Sequence, residues 1–302
     1  MSDNLKPQIF LFLSVDIIGS TNLKYNNQKT LRDWFNIFSN FYTSFPEDFS
    51  AHLEEEFLYK KIKYDKDILK VWKYAGDEIL MYIEITKTDE VPTIITAYKK
   101  TLEEWFINDT KLKDKLKVKG SVWIGQTPFI DRKINDKDDF IGPSIDCGFR
   151  LGKYSSQYEI AISVEVADLC NNNEFLQTSL FYKKSENLKG VLGDNLYPIF
   201  VITLKPSTEL KEYKHILKHC DKNDLDNYIS LFYKELEKDF STIVSRIDKD
   251  IEKYLLRKED ISKKIIYASM KNQEDLNEVS DTKKQDNTEE YNNLENELQN
   301  FN

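Results

Sequence analysis

The stretch Ile9–Thr21, IFLFLSVDIIGST, begins with apolar residues and ends with an aspartate, a glycine and two hydroxyl side chains. Its continuous apolar run predicts a strand that is buried on both faces. Asp16 stands where this strand leaves apolar packing, and a carboxylate there is costly unless it is paired or binds a metal ion. The stretch therefore predicts a central strand that carries a carboxylate at its end.

A second aspartate occupies a similar position further along the chain. In Lys73–Glu78, KYAGDE, Asp77 follows a glycine between two strand-like runs, Ile68–Trp72 and Ile79–Ile85. This pattern predicts a β-hairpin with Asp77 in its turn. Aspartate is also a common turn cap. Two such carboxylates, beside small residues that let the backbone approach a phosphate, favour a metal-dependent site for a nucleoside triphosphate.

Helical and strand-like patterns alternate up to residue 204, which favours an α/β or α+β sandwich. The first predicted helix carries an aromatic face and ends before Pro46. The other predicted elements are helices at 91–106 and from Pro143 to Leu151, and strands at 117–124, 159–162, 176–182 and 197–204.

The C-terminal third has a different composition. Pro206 marks a boundary, and apolar residues from Leu225 to Tyr254 predict one long amphipathic helix. We expect its apolar stripe to be buried against the core or a second copy, because exposure would promote aggregation. After Met270 the chain is rich in Asn, Glu, Asp, Gln and Lys, which predicts disorder. The expected organisation is a catalytic domain at 1–204, a helical extension at 205–270 and a tail at 271–302.

Bulk composition excludes several classes of protein. The chain has 302 residues and a net charge of −9, and no basic run offers a nucleic-acid surface. Its three cysteines have no paired spacing, so neither a disulfide framework nor a zinc site is indicated. No apolar stretch approaches the roughly 18 residues of a membrane helix, and the first residues do not resemble a signal peptide. We therefore expect a cytoplasmic protein that does not insert into membranes.

Three motifs, in this order, resemble those of class III nucleotidyl cyclases. Val15–Thr21 resembles their first metal motif and Lys73–Glu78 their second. Gly142–Leu151, GPSIDCGFRL, resembles the helix that bears their transition-state residues. The resemblance covers about residues 8 to 204. It implies an α+β fold with a ferredoxin-like cyclase core, in which helices pack on an antiparallel-rich sheet, followed by a helical extension.

The resemblance implies two Mg²⁺ or Mn²⁺ ions per active site. Asp16 and Asp77 would hold both ions, and the backbone carbonyl of Ile17 would supply a further ligand. Oxygen ligands suit these ions better than zinc. Backbone N–H groups and a hydroxyl would contact the triphosphate, and the residues implied for this role are Gly19, Ser20 and Thr21.

Two residues of the third motif match positions that bear transition-state residues in the family. Arg150 matches the family arginine that stabilises the pentavalent phosphate, for which a guanidinium fork is suited. Asp146 stands where the family usually has asparagine, and an ionised aspartate only accepts hydrogen bonds. At i and i+4 on one helix, Asp146 is positioned to pair with Arg150 and orient it. Lys189 lies near the family lysine that contacts the triphosphate, with Lys183 and Lys184 as nearby alternatives.

Lys73 and Asp139 match the positions that read the base in this family. Lysine only donates and aspartate only accepts, so the pair fits adenine, uracil or cytosine and disfavours guanine. We expect UTP over CTP, because Lys73 suits the O4 carbonyl of uracil. A pyrimidine also needs a narrowed pocket, for which Phe49 and Phe57 are candidates.

The full pattern is most similar to the pyrimidine cyclases of bacterial Pycsar anti-phage systems, which make cyclic UMP or cyclic CMP. In those systems the product activates a separate effector protein. The resemblance also implies a homodimer with composite sites. One subunit would supply Asp16 and Asp77, and the other would supply Lys73, Asp139, Asp146 and Arg150.

Three alternatives remain at this point. They are a cytidylate cyclase, an adenylate cyclase, and a catalytically inactive cyclase-like module that only binds nucleotide or a partner. Asp146 in place of asparagine counts against the adenylate cyclase. Retention of both metal-motif carboxylates and Arg150 counts against the inactive module.

Overall fold

The computed structural model describes residues 8–26, 31–107, 116–126, 131–134, 137–140, 142–191, 196–204 and 222–239. The chain divides into two compact units, Met1–Leu255 and Leu256–Asn302, and the described residues all lie in the first. Among them, no helix is long and apolar enough to cross a membrane. The predicted boundary at Pro206 and the predicted tail at 271–302 lie outside the described residues.

Helices and strands alternate along the described chain. The strands are β1 (Ile9–Ile17), β2 (Lys70–Ala75), β3 (Glu78–Glu84), β4 (Val118–Gln126), β5 (Asp131–Ile134), β6 (Lys137–Phe140), β7 (Glu159–Ile162), β8 (Leu180–Glu186) and β9 (Tyr197–Thr203). The helices are α1 (Ser20–Asn26), α2 (Leu31–Tyr59), α3 (Glu90–Ile107), α4 (Pro143–Leu151), α5 (Val164–Cys170), α6 (Glu174–Gln177) and α7 (Lys222–Asp239).

Seven of the described strands form one sheet in the order β2-β3-β1-β4-β7-β9-β8, and β5 and β6 form a separate hairpin. All neighbours in the large sheet are antiparallel except β4 and β7. The first four strands and the helices between them follow the order β–α–β–β–α–β, with β1 between β3 and β4. This is the ferredoxin-like arrangement. The predicted α+β class with an antiparallel-rich sheet is confirmed.

Helix α2 continues through Pro46, so the expectation that it ends before this residue is wrong. A proline inside a helix costs about 3 kcal/mol, because it removes a hydrogen bond and clashes with the preceding turn. Burial of one large apolar side chain contributes roughly 1.5–3 kcal/mol, and the stripe continues beyond the proline. The side chains in this stripe that are at most 1% exposed are Phe41, Phe45, Phe49, Leu53 and Phe57.

The two faces of the sheet are covered differently. On one face α3 approaches β4 so closely that a Cβ on Gly120 would collide with the Tyr98 side chain, whose hydroxyl donates to the Ser14 carbonyl at 2.5 Å. Because side chains alternate along a strand, Trp123 points to the other face. There it stacks on Phe12 with ring centroids 5.5 Å apart.

Helix α4 lies on this second face. A Cβ on Gly148 would overlap the indole of Trp123, so glycine is what lets α4 approach β4. Ile145, Cys147 and Leu151 of the same helix are buried. The helix has the predicted bounds, 143–151. Because these apolar residues face the sheet, the polar residues Asp146 and Arg150 are directed away from it.

The strand predicted at 176–182 begins later, at Leu180, because a short helix precedes it. The Asn173 side chain accepts hydrogen bonds from the backbone N–H groups of Phe175 and Leu176. This N-cap satisfies donors at the start of α6 and stabilises a helical turn where the apolar run predicted a strand.

The described part of the C-terminal extension, α7, packs against α5 and β9. Its side chains Leu225, Ile229, Phe232 and Tyr233 are buried. The ring of Phe232 lies 5.6 Å from that of Tyr197 in β9. The apolar stripe is thus buried against the core, as expected, over the residues that the structure describes. The boundary at residue 204 stays a prediction.

Candidate active site

The two aspartate motifs meet at the end of β1. The Ile17 backbone N–H donates to the Asp77 carbonyl at 3.3 Å. Asp77 lies in the two-residue turn between β2 and β3, where Gly76 has a φ of +71°, a conformation that favours glycine. The Tyr42 hydroxyl of α2 donates to the Gly76 carbonyl and so fixes this turn from outside the hairpin.

Asp16 lies close to one positively charged side chain, Lys119, and one negatively charged side chain, Asp77. Its Oδ2 is 3.1 Å from the Lys119 ammonium nitrogen, and the side chain is 28% exposed. Burial raises the pKa of Asp16 above its usual value and the nearby Asp77 raises it further, whereas Lys119 lowers it. Burial is the largest of these effects, so the pKa stays raised although Lys119 lies beside the carboxylate.

Glu78 adds a third carboxylate to the same place. It is the strand partner of Asp16 and accepts a hydrogen bond from the Ser14 hydroxyl. Burial raises the pKa of Glu78, the Ser14 hydrogen bond lowers it, and the Asp16 charge raises it. The end of β1 therefore concentrates negative charge in a partly buried position.

Sequence reasoning missed Lys119 and did not single out Glu78. Lys119 reaches Asp16 because the two residues are opposite each other in the β1–β4 register. The order of strands decides this pairing, and no local pattern around Lys119 shows it. Glu78 directly follows the predicted Asp77, so the second motif already contained the residue that could have been identified.

These residues suit a hard divalent cation. Asp16, Asp77 and backbone carbonyls are oxygen donors of the kind that Mg²⁺ and Mn²⁺ prefer. The pKa of Asp16 is raised mainly by burial and further by the neighbouring Asp77 carboxylate, an environment in which a bound cation would favour the ionised form. No group of three or more His, Cys, Asp or Glu side chains is arranged for a metal ion among the described residues. The donor set is thus one of two carboxylates with backbone oxygens, which fits the predicted ions.

The predicted phosphate-contacting segment follows β1 directly. Gly19 has a φ of +72°, and its carbonyl accepts from the Leu23 N–H at 3.0 Å. Ser20 and Thr21 form the first turn of α1 rather than an irregular loop. Ser20 is 6% exposed whereas Thr21 is exposed, so the accessible hydroxyl is that of Thr21.

Lys73 and Asp139 form an ion pair, with Lys73 Nζ 3.1 Å from Asp139 Oδ1. The two side chains come from β2 and from the β5–β6 hairpin, 66 positions apart in the sequence. They are 40% and 35% exposed, so both remain accessible to a ligand. The structure thus places the two predicted base-reading residues side by side.

A β-bulge shapes this part of β2. The register shifts between Val71 and Lys73, so that Trp72 has no partner in β3. Neighbouring side chains on a regular strand point to opposite faces, and a bulge changes this direction. As a result Lys73 Nζ lies 3.9 Å from the centroid of the Trp72 ring.

The polar residues of α4 point away from the sheet. Asp146 is in the first turn and Arg150 in the last, and both are exposed. Within the described part of the chain, no ion pair within 4 Å joins Asp146 to Arg150, so the expected pairing is not formed. Since Arg150 is exposed at the end of α4, it is accessible to a ligand or to a second copy of the chain.

Lys189 lies in an exposed turn after β8, where Gly190 has a φ of +77°. Of the two nearby alternatives, Lys183 binds the buried Glu159 at 2.6 Å and Lys184 pairs with Glu186 at 2.5 Å. Lys183 therefore has a structural role in stabilising Glu159. Lys189 remains the better candidate for contact with a triphosphate.

The two phenylalanines predicted to narrow the base pocket do not face it. Phe49 and Phe57 are at most 1% exposed and belong to the core stripe of α2. Phe49 contacts Tyr98 of α3, with ring centroids 5.3 Å apart. This expectation is wrong because the helix continues beyond Pro46 and carries both rings into the core.

A groove between α2, α3 and α6 lies apart from these motifs. Its charged side chains pair with one another, as Lys100 does with Glu56 and Lys99 with Glu103. None of the motif residues lines it. This groove is therefore not part of the candidate active site.

No protein-family model and no curated protein matches the chain. Among solved structures it is similar to the adenylyl cyclase CyaB from P. aeruginosa, with 13% identity over 68% of this chain and 97% of that chain and a TM-score of 0.48. It is also similar to the guanylyl cyclase Cya2, with 13% identity over 67% and 96% of the two chains and a TM-score of 0.46. Identity this low transfers no function, so function has to be argued from the side chains of the site.

Proposed function

We propose that this protein is a nucleotidyl cyclase that converts UTP to cyclic UMP and pyrophosphate. The observation that carries the proposal is the meeting of Asp16 and Asp77, which the Ile17–Asp77 backbone bond holds together at the end of β1. Burial, together with the nearby Asp77 charge, raises the pKa of Asp16, and perturbed pKa values are common at functional sites. The order and content of the three motifs support the same function.

Asp16, Asp77 and the carbonyl of Ile17 are proposed to hold Mg²⁺ or Mn²⁺, two ions per site. When bound, these ions lower the pKa of the 3′-hydroxyl and neutralise phosphate oxygens during in-line attack on the α-phosphorus. Lys119, which pairs with Asp16 in this structure, would be available to phosphate oxygens if Asp16 held a metal ion. We expect Gly19, Ser20 and Thr21, which follow β1 directly, to position the triphosphate through backbone N–H groups and the exposed Thr21 hydroxyl.

The remaining phosphate contacts are assigned to residues that are exposed in a single copy of the chain. Arg150 is proposed to bind the pentavalent phosphate with its guanidinium fork, Lys189 to contact the triphosphate, and Asp146 to accept from the ribose. We propose that Asp16 and Asp77 of one protomer act together with Arg150 of its partner. The active form is then a homodimer with two equivalent composite sites.

The base is proposed to bind at Lys73 and Asp139, which support this assignment by lying 3.1 Å apart and partly exposed. In uracil, O4 accepts and N3–H donates, which matches a lysine beside an aspartate. Cytosine presents an amine in place of O4, and an unpaired buried donor costs about 1–3 kcal/mol, so we expect CTP to be the poorer substrate. We further propose that the product is a messenger in antiviral defence that a separate effector protein reads.

Product analysis tests this function. The purified full-length protein is incubated with UTP, CTP, ATP and GTP separately, with Mn²⁺ or Mg²⁺, and products are identified by mass. We expect cyclic UMP and pyrophosphate to form fastest, with cyclic CMP next. Cyclic AMP as the dominant product would refute the pyrimidine assignment, and no cyclic product from any of the four would refute the cyclase.

A further inference from the structure

Phe149 is an aromatic side chain that the fold does not bury. It lies on α4 and is 44% exposed, whereas its helix neighbours Cys147 and Leu151 are at most 8% exposed. Its ring centroid is 6.2 Å from that of Trp72 and 6.0 Å from that of Trp123. Phe149 therefore contacts the aromatic side chains that pack on the second face of the sheet and is itself exposed to solvent.

This exposed ring lies beside the Lys73–Asp139 pair. Lys73 Nζ is 6.0 Å from the centroid of Phe149 and 3.9 Å from that of Trp72. Asp139 Oδ1 accepts from both Lys73 and the Phe140 backbone N–H at 3.1 Å. In the part of the chain that the structure describes, both of these bonds end on Oδ1, so Oδ2 is available as an acceptor.

From this arrangement we infer that the exposed ring of Phe149 forms an aromatic shelf on which the base stacks beside Lys73, and that this ring restricts the site to a single-ring base. The inference rests on the proposed cyclase function and adds a residue that determines its specificity. Stacking on an aromatic side chain is possible for every base, because every base has a π-face. Size selection therefore has to come from the volume that the Phe149 ring occupies beside Lys73.

Packing in the core alone does not explain why Phe149 is exposed and why Trp72 points toward Lys73. The aromatic residues of the same face that serve the core, Phe12 and Phe140, are at most 7% exposed. Trp72 is in contact with Phe140, with ring centroids 5.1 Å apart, yet the β-bulge turns it toward Lys73. A bulge next to a ligand site commonly redirects a side chain in this way.

The test compares three variants of the full-length protein: Phe149→Ala, Phe149→Tyr and Phe175→Ala. Phe175 is a matched control, because it is also an exposed phenylalanine, at 69%, but lies in α6 away from the three motifs. Binding of α,β-methylene-UTP and α,β-methylene-ATP, which cannot release pyrophosphate, is measured by calorimetry. Rates with UTP and ATP are measured in parallel.

We expect Phe149→Ala to weaken α,β-methylene-UTP binding roughly tenfold to a hundredfold through the loss of stacking. The preference for UTP over ATP should fall by about tenfold or more as space opens for a purine. Phe149→Tyr should retain binding within about threefold, and Phe175→Ala should change neither property.

Binding and turnover separate this inference from the cyclase proposal. If Phe149→Ala leaves analogue binding and base preference unchanged while the parent makes cyclic products, the shelf is refuted and the cyclase stands. If binding depends on Phe149 but no cyclic product forms, the shelf stands and the cyclase is refuted. If neither analogue binds the parent protein, both are refuted.

Discussion

Replacing Asp77 by alanine is expected to lower the rate of cyclic nucleotide formation by at least about a thousandfold. Divalent ions supply several kcal/mol of charge stabilisation in such reactions, and each 1.36 kcal/mol corresponds to a factor of ten in rate. Asp77 supplies one of the two carboxylates proposed to hold these ions. Initial rates with UTP and saturating Mn²⁺ measure the effect.

The fold should tolerate this change. Asp77 lies in a turn, and its charge is one of those that raise the pKa of Asp16, so its removal relieves repulsion. The melting temperature of Asp77→Ala should therefore equal or exceed that of the parent. Asp67→Ala is the matched control, because Asp67 is exposed in the loop before β2. Activity of Asp77→Ala within about tenfold of the parent would show that the metal assignment is wrong.

The second large effect is expected at Arg150. Loss of a preorganised donor to charge that develops in the transition state typically costs about a hundredfold to a thousandfold in kcat. Arg150→Ala should show a loss of this size with a smaller change in KM, because the contact forms mainly with the pentavalent phosphate. Steady-state kinetics with UTP separate the two parameters.

Arg150→Lys keeps the charge but loses the planar fork, so it should recover only part of the rate. Lys153→Ala is the control, since Lys153 is an exposed cation just beyond α4. A loss confined to KM would assign Arg150 to ground-state binding instead.

Much of the fold could be predicted from local sequence because the relevant signals are local. The apolar run of Ile9–Ile17 specifies β1, and the glycine-aspartate turn specifies the β2–β3 hairpin. The α+β class followed from the alternation of elements together with the motif resemblance. The predicted end of α2 is wrong because tertiary burial of Phe49 and Phe57 outweighs the local cost of Pro46.

Site residues that belong to a sequence motif could be predicted. Site residues that are brought in by strand pairing or packing could not. Asp16, Asp77 and Lys73 stand in the motifs and Asp139 lies just before the third, and the structure places the four residues in two pairs. Lys119 depends on the β1–β4 register, which no nearby residue reveals. The direction of Trp72 depends on a bulge, because a regular strand would turn it away from Lys73. Phe149 was part of a recognised motif, but its exposure follows only from how α4 packs on Trp123.

Mixing the two inactive variants tests the composite cyclase site most directly. Asp77→Ala and Arg150→Ala are unfolded together, refolded in equal amounts and assayed for cyclic UMP. Random pairing makes about half of the dimers mixed, and each mixed dimer has one intact site of two, so about a quarter of the parent activity should return. Activity no greater than that of either variant refolded alone would contradict a cyclase site built from two protomers.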